Sequence, residues 1–287
     1  GNPGINRASG GGAGGSIWLA AQTIAGSGVI SANGGAGEPG SGGGGGGGRI
    51  AIYCTHRSFN GSVVAHGGAG HGSGGPGTIY WQSGASAAEE VLIENGGVPG
   101  HTALLPEGTS FSLELAGGAI ASLLGDMALR GLLIGSNSWL LASNRTLQVV
   151  GDAVIDNGGG INADCAGYGV NQGTGAGKVY SYSGVYFGGG GGYGGEGGDG
   201  GADAYSAGGV AYGSLTMPRE LGSGGGSNLS PGPESARGGG AVRLEVSGHL
   251  QVNGRISANG GDGFSTGSGG AAGGSVWLTA GALSGAG

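Results

Sequence analysis

The feature that most constrains the fold of this chain is a duplication. The string SIWL at Ser16–Leu19 returns as SVWL at Ser275–Leu278, 259 residues later, and its flanking glycines return with it. Residues 260–287 therefore repeat residues 1–28, and residues 1–287 hold one period of about 259 residues plus the first 28 of the next. Self-similarity at a fixed period is typical of repeat architectures. We expect a window of a longer repetitive polypeptide, or a unit built to be joined end to end.

Shorter echoes lie inside this period. ISANGG occurs at Ile30–Gly35 and Ile256–Gly261, with degenerate relatives at Val64–Gly68, Ile93–Gly97 and Ile155–Gly160. Each follows short runs in which every second residue is apolar, which is the period of a β-strand. The pattern predicts an all-β fold in which three short strands per echo form one coil of a parallel β-solenoid, or β-helix. The alternative is a set of separate hairpins with Asn-Gly turns.

Corner turns between such strands need residues that tolerate the left-handed backbone conformation. Glycine and asparagine adopt it at low cost. Four asparagines that precede glycine in the echoes are therefore predicted at corners: Asn33, Asn95, Asn157 and Asn259.

Glycine supplies 83 of the 287 residues, and its uneven distribution separates the chain into four segments. We expect β-solenoid coils with glycine-rich loops over 1–97, less glycine-rich β coils over 98–160, a glycine-rich flap region over 161–240 and further β coils over 241–287. Taken alone, the glycine runs are typical of flexible linkers. The alternative is a polyglycine-II-like packing, in which extended threefold chains bond to neighbours through their backbones. Interspersed aromatic residues favour ordered flaps.

Several strings in the chain point to a known group. They are Gly15–Ala20, Ser27–Gly35, Gly44–Tyr53, Gly74–Tyr80 and Ala211–Thr216. In these strings the chain resembles the glycine-rich tandem-repeat β-solenoid proteins found in very large secreted or surface proteins of environmental bacteria. The resemblance covers most of the chain except roughly residues 98–147. It implies a repeat-built protein at an extracellular or cell-surface location, and it brings no catalytic residue with it.

The low content of charged residues argues against some classes of binding partner. Charged residues make up 9% of the chain, the formal net charge is −7, and Lys178 is the single lysine. A chain without a basic cluster is a poor partner for nucleic acid or anionic lipid. No apolar run approaches the roughly 20 residues of a membrane span. Cys54 and Cys165 lie outside any CxxC context, so we expect lone packed thiols rather than a metal site, and a single disulfide stays open.

One acidic string suggests a metal. Residues 194–199 match the GGxGxD core of calcium-binding nonapeptides, and Asp203 follows shortly, so Glu196, Asp199 and Asp203 form a weak calcium candidate. The alternative is solvated acids in a glycine loop. Glycoside cleavage needs two converging carboxylates, whereas Arg243 and Glu245 are explained as a cross-strand ion pair. We expect neither an enzyme nor a cofactor.

The remaining candidates are aromatic. Alignment of the coils places Trp18, Tyr80 and Trp277 in one outward column, with Tyr53 beside it. Such rings stack on sugars or on a neighbouring filament; the alternative is that glycine flaps cover them. The leading expectation is a structural protein, a tandem-repeat building block of an extracellular filament, sheath or matrix that assembles with copies of itself by strand-edge stacking. The alternative is a surface adhesin or phage-type fibre segment that binds glycans.

Overall fold

The fold is built from strands. The computed structural model describes residues 9–84, 88–105, 111–201, 206–228, 236–264 and 267–287. These residues contain no helix, which confirms the all-β class. Their strands are β1 (Ser16–Gly26), β2 (Val29–Ser31), β3 (Arg49–Phe59), β4 (Ser62–Val64), β5 (Thr78–Ser83), β6 (Ala88–Glu94), β7 (Gly100–Leu104), β8 (Ser112–Ala116), β9 (Ala119–Leu123), β10 (Met127–Leu129), β11 (Gly131–Ile134), β12 (Trp139–Leu141), β13 (Arg145–Val149), β14 (Ala153–Ile155), β15 (Gly160–Asn162), β16 (Val179–Tyr182), β17 (Val185–Gly188), β18 (Ala241–Val252), β19 (Arg255–Ser257) and β20 (Ser275–Ser284).

One mixed sheet of eleven strands dominates the structure. Its path runs β1-β3-β5-β6-β8-β11-β14-β18-β13-β10, and β20 pairs with β18 off this path. Five further strands form a parallel sheet in the order β19-β15-β12-β9-β7. Strands β2 and β4 form a parallel pair, and β16 and β17 an antiparallel one.

The predicted parallel β-solenoid is wrong. Strands β5 and β6 pair antiparallel, with Ile79 opposite Leu92, after a reversal that begins at Gly84 with φ +81°. Strands β1, β3 and β5 therefore run one way and β6, β8, β11, β14, β18 and β20 the other. Pairing also departs from chain order, because β18 joins β13 along its first half and β14 along its second. The apolar alternation that suggested a solenoid is the same for parallel and antiparallel strands.

The reversal places two hydrophobic cores on opposite faces of the large sheet. Ile79 belongs to an N-terminal core, whereas Val91 and Ile93 belong to a C-terminal core. Directly opposed residues of an antiparallel pair share a face. Tyr80 lies opposite Val91, so it points to the side away from Ile79. The outer face of the N-terminal strands is thus continuous with the core face of the C-terminal strands.

The glycine-rich segments pack through their backbones. Gly11 and Gly14 donate N–H bonds to the carbonyls of Gly43 and Gly46, at 2.9 and 2.8 Å. Gly44 and Gly47 donate to Gly72 and Gly75, both at 2.8 Å. The partners recur every three residues, the period of an extended threefold helix. A Cβ added at Gly44 or Gly47 would come within 3.0 Å of neighbouring backbone atoms, so chains lie closer here than any side chain permits.

Candidate functional site

The duplicated strands β1 and β20 lie at opposite ends of the large sheet. In the described part of the chain, β1 pairs with β3 alone and β20 with β18 alone. Ile17 lies beside Ile50 in the first pair, and Val276 lies beside Val242 in the second. The repeated sequence therefore forms the last strand twice, once at each end.

Both end strands leave apolar side chains open to solvent. The interior residues Ile50 and Leu244 are 1% and 0% exposed, whereas Val276 and Leu278 are each 37% exposed. Leu283 is 65% exposed, although its partner Leu250 is fully buried. On β1, the side chains of Ile17, Leu19 and Ile24 pack on the N-terminal core but are only half-buried. Each hydrophobic core is therefore partly exposed to solvent at its end strand, β1 for the N-terminal core and β20 for the C-terminal core.

The backbone edges of β1 and β20 present complementary groups. Arg49 donates its N–H to the carbonyl of Gly15 at 3.0 Å, so the peptide groups at Gly15 and Ile17 face β3. Successive groups alternate in direction along a strand, which leaves the N–H of Ser16 on the free edge of β1. Its counterpart Ser275 uses that same N–H to bond the carbonyl of Gly240 at 3.0 Å. The free edge of β1 therefore carries the groups with which β20 binds β18.

The predicted aromatic column is divided between the two ends. Trp18, Tyr53 and Tyr80 form a row, with ring centroids 5.9 Å apart for the first pair and 5.5 Å for the second. The row floors a groove of about 490 Å³ whose far wall includes Leu104 and Phe111. Trp18 is 69% exposed.

Trp277 lies in a different setting at the other end. The guanidinium carbon of Arg219 lies 4.4 Å from the centroid of the Trp277 ring, and that of Arg243 lies 5.5 Å away. The hydroxyl of Ser275 donates to the backbone carbonyl of Glu220. Part of the glycine-rich flap region therefore covers Trp277. Sequence reasoning missed Arg219, because no repeat or motif in the sequence marks it.

The four predicted corner asparagines have different environments. Asn95 is buried; its Oδ1 accepts the N–H of Gly67 at 2.7 Å and its Nδ2 donates to the carbonyl of Val98 at 2.8 Å. Asn33 Oδ1 accepts the N–H of His66 at 2.8 Å. Asn95 and Asn157 lie in turns where the following glycines have positive φ, whereas Asn259 donates its N–H to Asp164 at 2.6 Å. Two of the four thus occupy turns, and glycine supplies the left-handed residue.

The acidic and thiol candidates that the structure describes do not come together. Glu196 is exposed, Asp199 accepts the N–H of Gly208 at 2.8 Å, and Asp203 lies outside the described residues. Within the described ranges, no three His, Cys, Asp or Glu side chains come together as metal ligands. The calcium site therefore stays a prediction. Cys54 and Cys165 form no disulfide, so the bridge that the sequence left open is not made.

Charged side chains cluster beside Trp277. Arg243 and Glu245 form an ion pair of 2.6 Å along β18 itself rather than across two strands. The hydrogen bond from Gln148 and the charge of Arg243 hold the pKa of Glu245 below its usual range. The backbone N–H of Arg219 lowers the pKa of Glu220. Both carboxylates are held by structural partners close to Trp277.

Comparisons with known proteins give no relative. No family model matches the chain, and neither a curated protein nor a solved structure does. Among the described residues, no helix is long and apolar enough to cross a membrane.

Proposed function

We propose that this chain is a structural protein, a tandem-repeat building block of an extracellular filament, sheath or matrix that assembles end to end through its strand edges. One observation carries the proposal: the same sequence forms the outermost strand at both ends of the sheet, with a free backbone edge and half-buried apolar residues each time. The extracellular setting is carried over from the resemblance of the glycine-rich strings.

The two copies of the repeated strand show two different neighbours, one for each edge of the strand. As β20 it pairs with β18, and as β1 it pairs with β3. A following unit therefore extends the sheet from β20, and a preceding unit extends it from β1. Moving a large apolar side chain from full exposure to full burial contributes about 1.5 to 3 kcal/mol, and a side chain that starts partly buried contributes proportionately less.

Neither end strand carries the charges or prolines that keep ordinary edges apart. Natural edge strands are blunted by lysine, proline, bulges or inward-pointing charges. Strand β1 reads SIWLAAQTIAG and β20 reads SVWLTAGALS, and neither contains a charged residue or proline. Their free edges are suited to pairing with copies of the same chain.

The test is assembly of the whole chain. Sedimentation velocity over a range of concentrations, with electron microscopy of the same samples, is expected to show linear oligomers. Leu278→Lys places a charge on the inward face of β20 and is expected to abolish growth at that end. Val150→Lys introduces the same charge at a residue that is 66% exposed between β13 and β14, and this variant should assemble like the parent. A parent that stays monomeric at all concentrations, or equal assembly of both variants, contradicts the proposal.

A further inference from the structure

The duplicated tryptophans differ in what covers them. Trp18 and Trp277 occupy the same position of the repeated strand, two residues after Ser16 and Ser275. Trp277 is half-buried beneath Arg219, whereas Trp18 is 69% exposed. Among the described residues, no side chain lies over Trp18 as Arg219 lies over Trp277. One copy of the strand thus has a cover that the other lacks.

The cover is residues 214–221, SLTMPREL, here called the cover segment. Tyr212 donates its hydroxyl to the carbonyl of Leu221 and so closes the segment into a loop. Ser214 Oγ accepts the N–H of Met217 at 3.0 Å. Pro218 and Arg219 then border a cavity of about 220 Å³ that also contacts Trp277. The segment is a folded loop aimed at the tryptophan, not a loose linker.

Two contacts of the cover segment reach the repeated strand itself. The Arg219 guanidinium stacks on the Trp277 ring, and the Glu220 carbonyl accepts the Ser275 hydroxyl. Both receiving groups recur at the other end as Trp18 and Ser16. Ser16 is exposed there and borders the same groove as Trp18.

The order of the segments along the chain indicates which copy of the cover segment would lie over Trp18. Glu220 precedes Ser275 by 55 residues, so the cover segment comes before the strand that it covers. In an array with a period of 259 residues, the cover for Trp18 belongs to the preceding unit.

We propose that the Trp18 face is the docking site for the cover segment of another unit of the same repeat. This inference rests on the proposed tandem array, in which the strand that follows each cover segment is the first strand of the next unit and takes the place that β20 holds here. The arginine stacks on Trp18 as a cation–π pair, the next carbonyl accepts the Ser16 hydroxyl, and Tyr53 extends the apolar floor.

The test uses a synthetic peptide of residues 211–223 and the indole signals of the chain. The chain has four tryptophans, so ¹H–¹⁵N spectra give four indole N–H peaks that single variants assign. The protein is the full chain carrying Leu278→Lys, which leaves β1 and its own cover segment intact. Sedimentation of the same samples reports the assembly state separately.

We expect saturable shifts of the Trp18 peak and no change at Trp277, because a tethered segment at millimolar effective concentration outcompetes the peptide there. An Arg219→Ala peptide should bind about five-fold more weakly, the loss of one exposed cation–π pair. Trp18→Ala should abolish shifts of all remaining peaks, and Trp277→Ala, the matched control, should leave the Trp18 shift unchanged.

Three outcomes overturn the docking site. They are an unshifted Trp18 peak, peptide shifts confined to Trp277, and a Trp18 peak that responds to a β-linked glucose oligosaccharide but not to the peptide. The last outcome favours the adhesin. Assembly of the parent chain without peptide binding rejects the docking site alone, whereas peptide binding without assembly rejects the filament alone.

Discussion

The N-terminal glycine region and the leucine-rich region fill their interiors by opposite means. Over 32–48 and 65–77, neighbouring backbones touch and a Cβ has no room at many glycines, for example at Gly44 and Gly47. Over 111–163, the interior is side chain, with Leu115, Ile134 and Leu140 fully buried. The first region relies on backbone hydrogen bonds between segments and the second on apolar burial. Adding one carbon in the glycine region should therefore change the free energy of unfolding more than removing one carbon in the leucine-rich region.

The largest effect is expected from Gly44→Ala. The new Cβ would meet the carbonyl of Gly68, which is backbone and cannot rotate away. Overpacking typically costs 1 to 3 kcal/mol, and an immovable neighbour places this case at about 3 kcal/mol of unfolding free energy. Denaturant unfolding of the whole chain measures it.

Gly43→Ala is the matched control, because a Cβ at the adjacent glycine meets nothing within 4 Å. This variant should be neutral or stabilised by roughly 0.4 to 1 kcal/mol, since alanine restricts the unfolded chain more than glycine does. Equal midpoints for the two variants would mean that the glycine region is not close-packed.

A smaller effect is expected from Ile134→Val in the leucine-rich region. Ile134 is fully buried between Leu115 and Ile155 on adjacent strands. Removing one methyl group should lower the unfolding free energy by about 1 kcal/mol, because the neighbours relax only in part. A loss as large as that of Gly44→Ala would erase the contrast between the two regions.

The same contrast explains what the sequence predicts and what it does not. Alternating apolar residues located the strands around Ile50 and Leu244 correctly, because period two is a local property. They did not predict the reversal at Gly84, since alternation carries no strand direction. Whether glycine runs were linker or packed stayed open, because Gly44 bonds to Gly72 without any side chain that marks the pairing.

The candidate site was predictable only in part. Trp18 and Trp277 stood out because the strand repeats, but their different surroundings depend on Arg219, an arginine of the flap region that no sequence motif marks. Its contact with Trp277 joins segments far apart in the chain, and no local pattern encodes such a contact. The sequence alignment placed Trp18, Tyr53 and Tyr80 on one outward face, but it did not give the spacing of their rings, which depends on the register of β1, β3 and β5.

The smallest effect is expected from pH, through Glu245 beside Trp277. Gln148 and Arg243 hold the pKa of Glu245 below its usual range in the folded chain, whereas the unfolded chain returns it to that range. Unfolding then takes up protons in acid, so this carboxylate stabilises the fold above its ordinary pKa and loses that contribution as pH falls through the folded value.

Glu245→Gln should therefore weaken the loss of thermal stability between neutral pH and pH values below the ordinary range of a glutamate. Gln148→Leu removes the hydrogen bond that lowers this pKa most and should have part of the same effect, because Arg243 stays 2.6 Å from Glu245. Thermal unfolding of the parent and both variants across that range measures the slopes, and identical acid slopes for all three would show that this pair does not couple folding to pH.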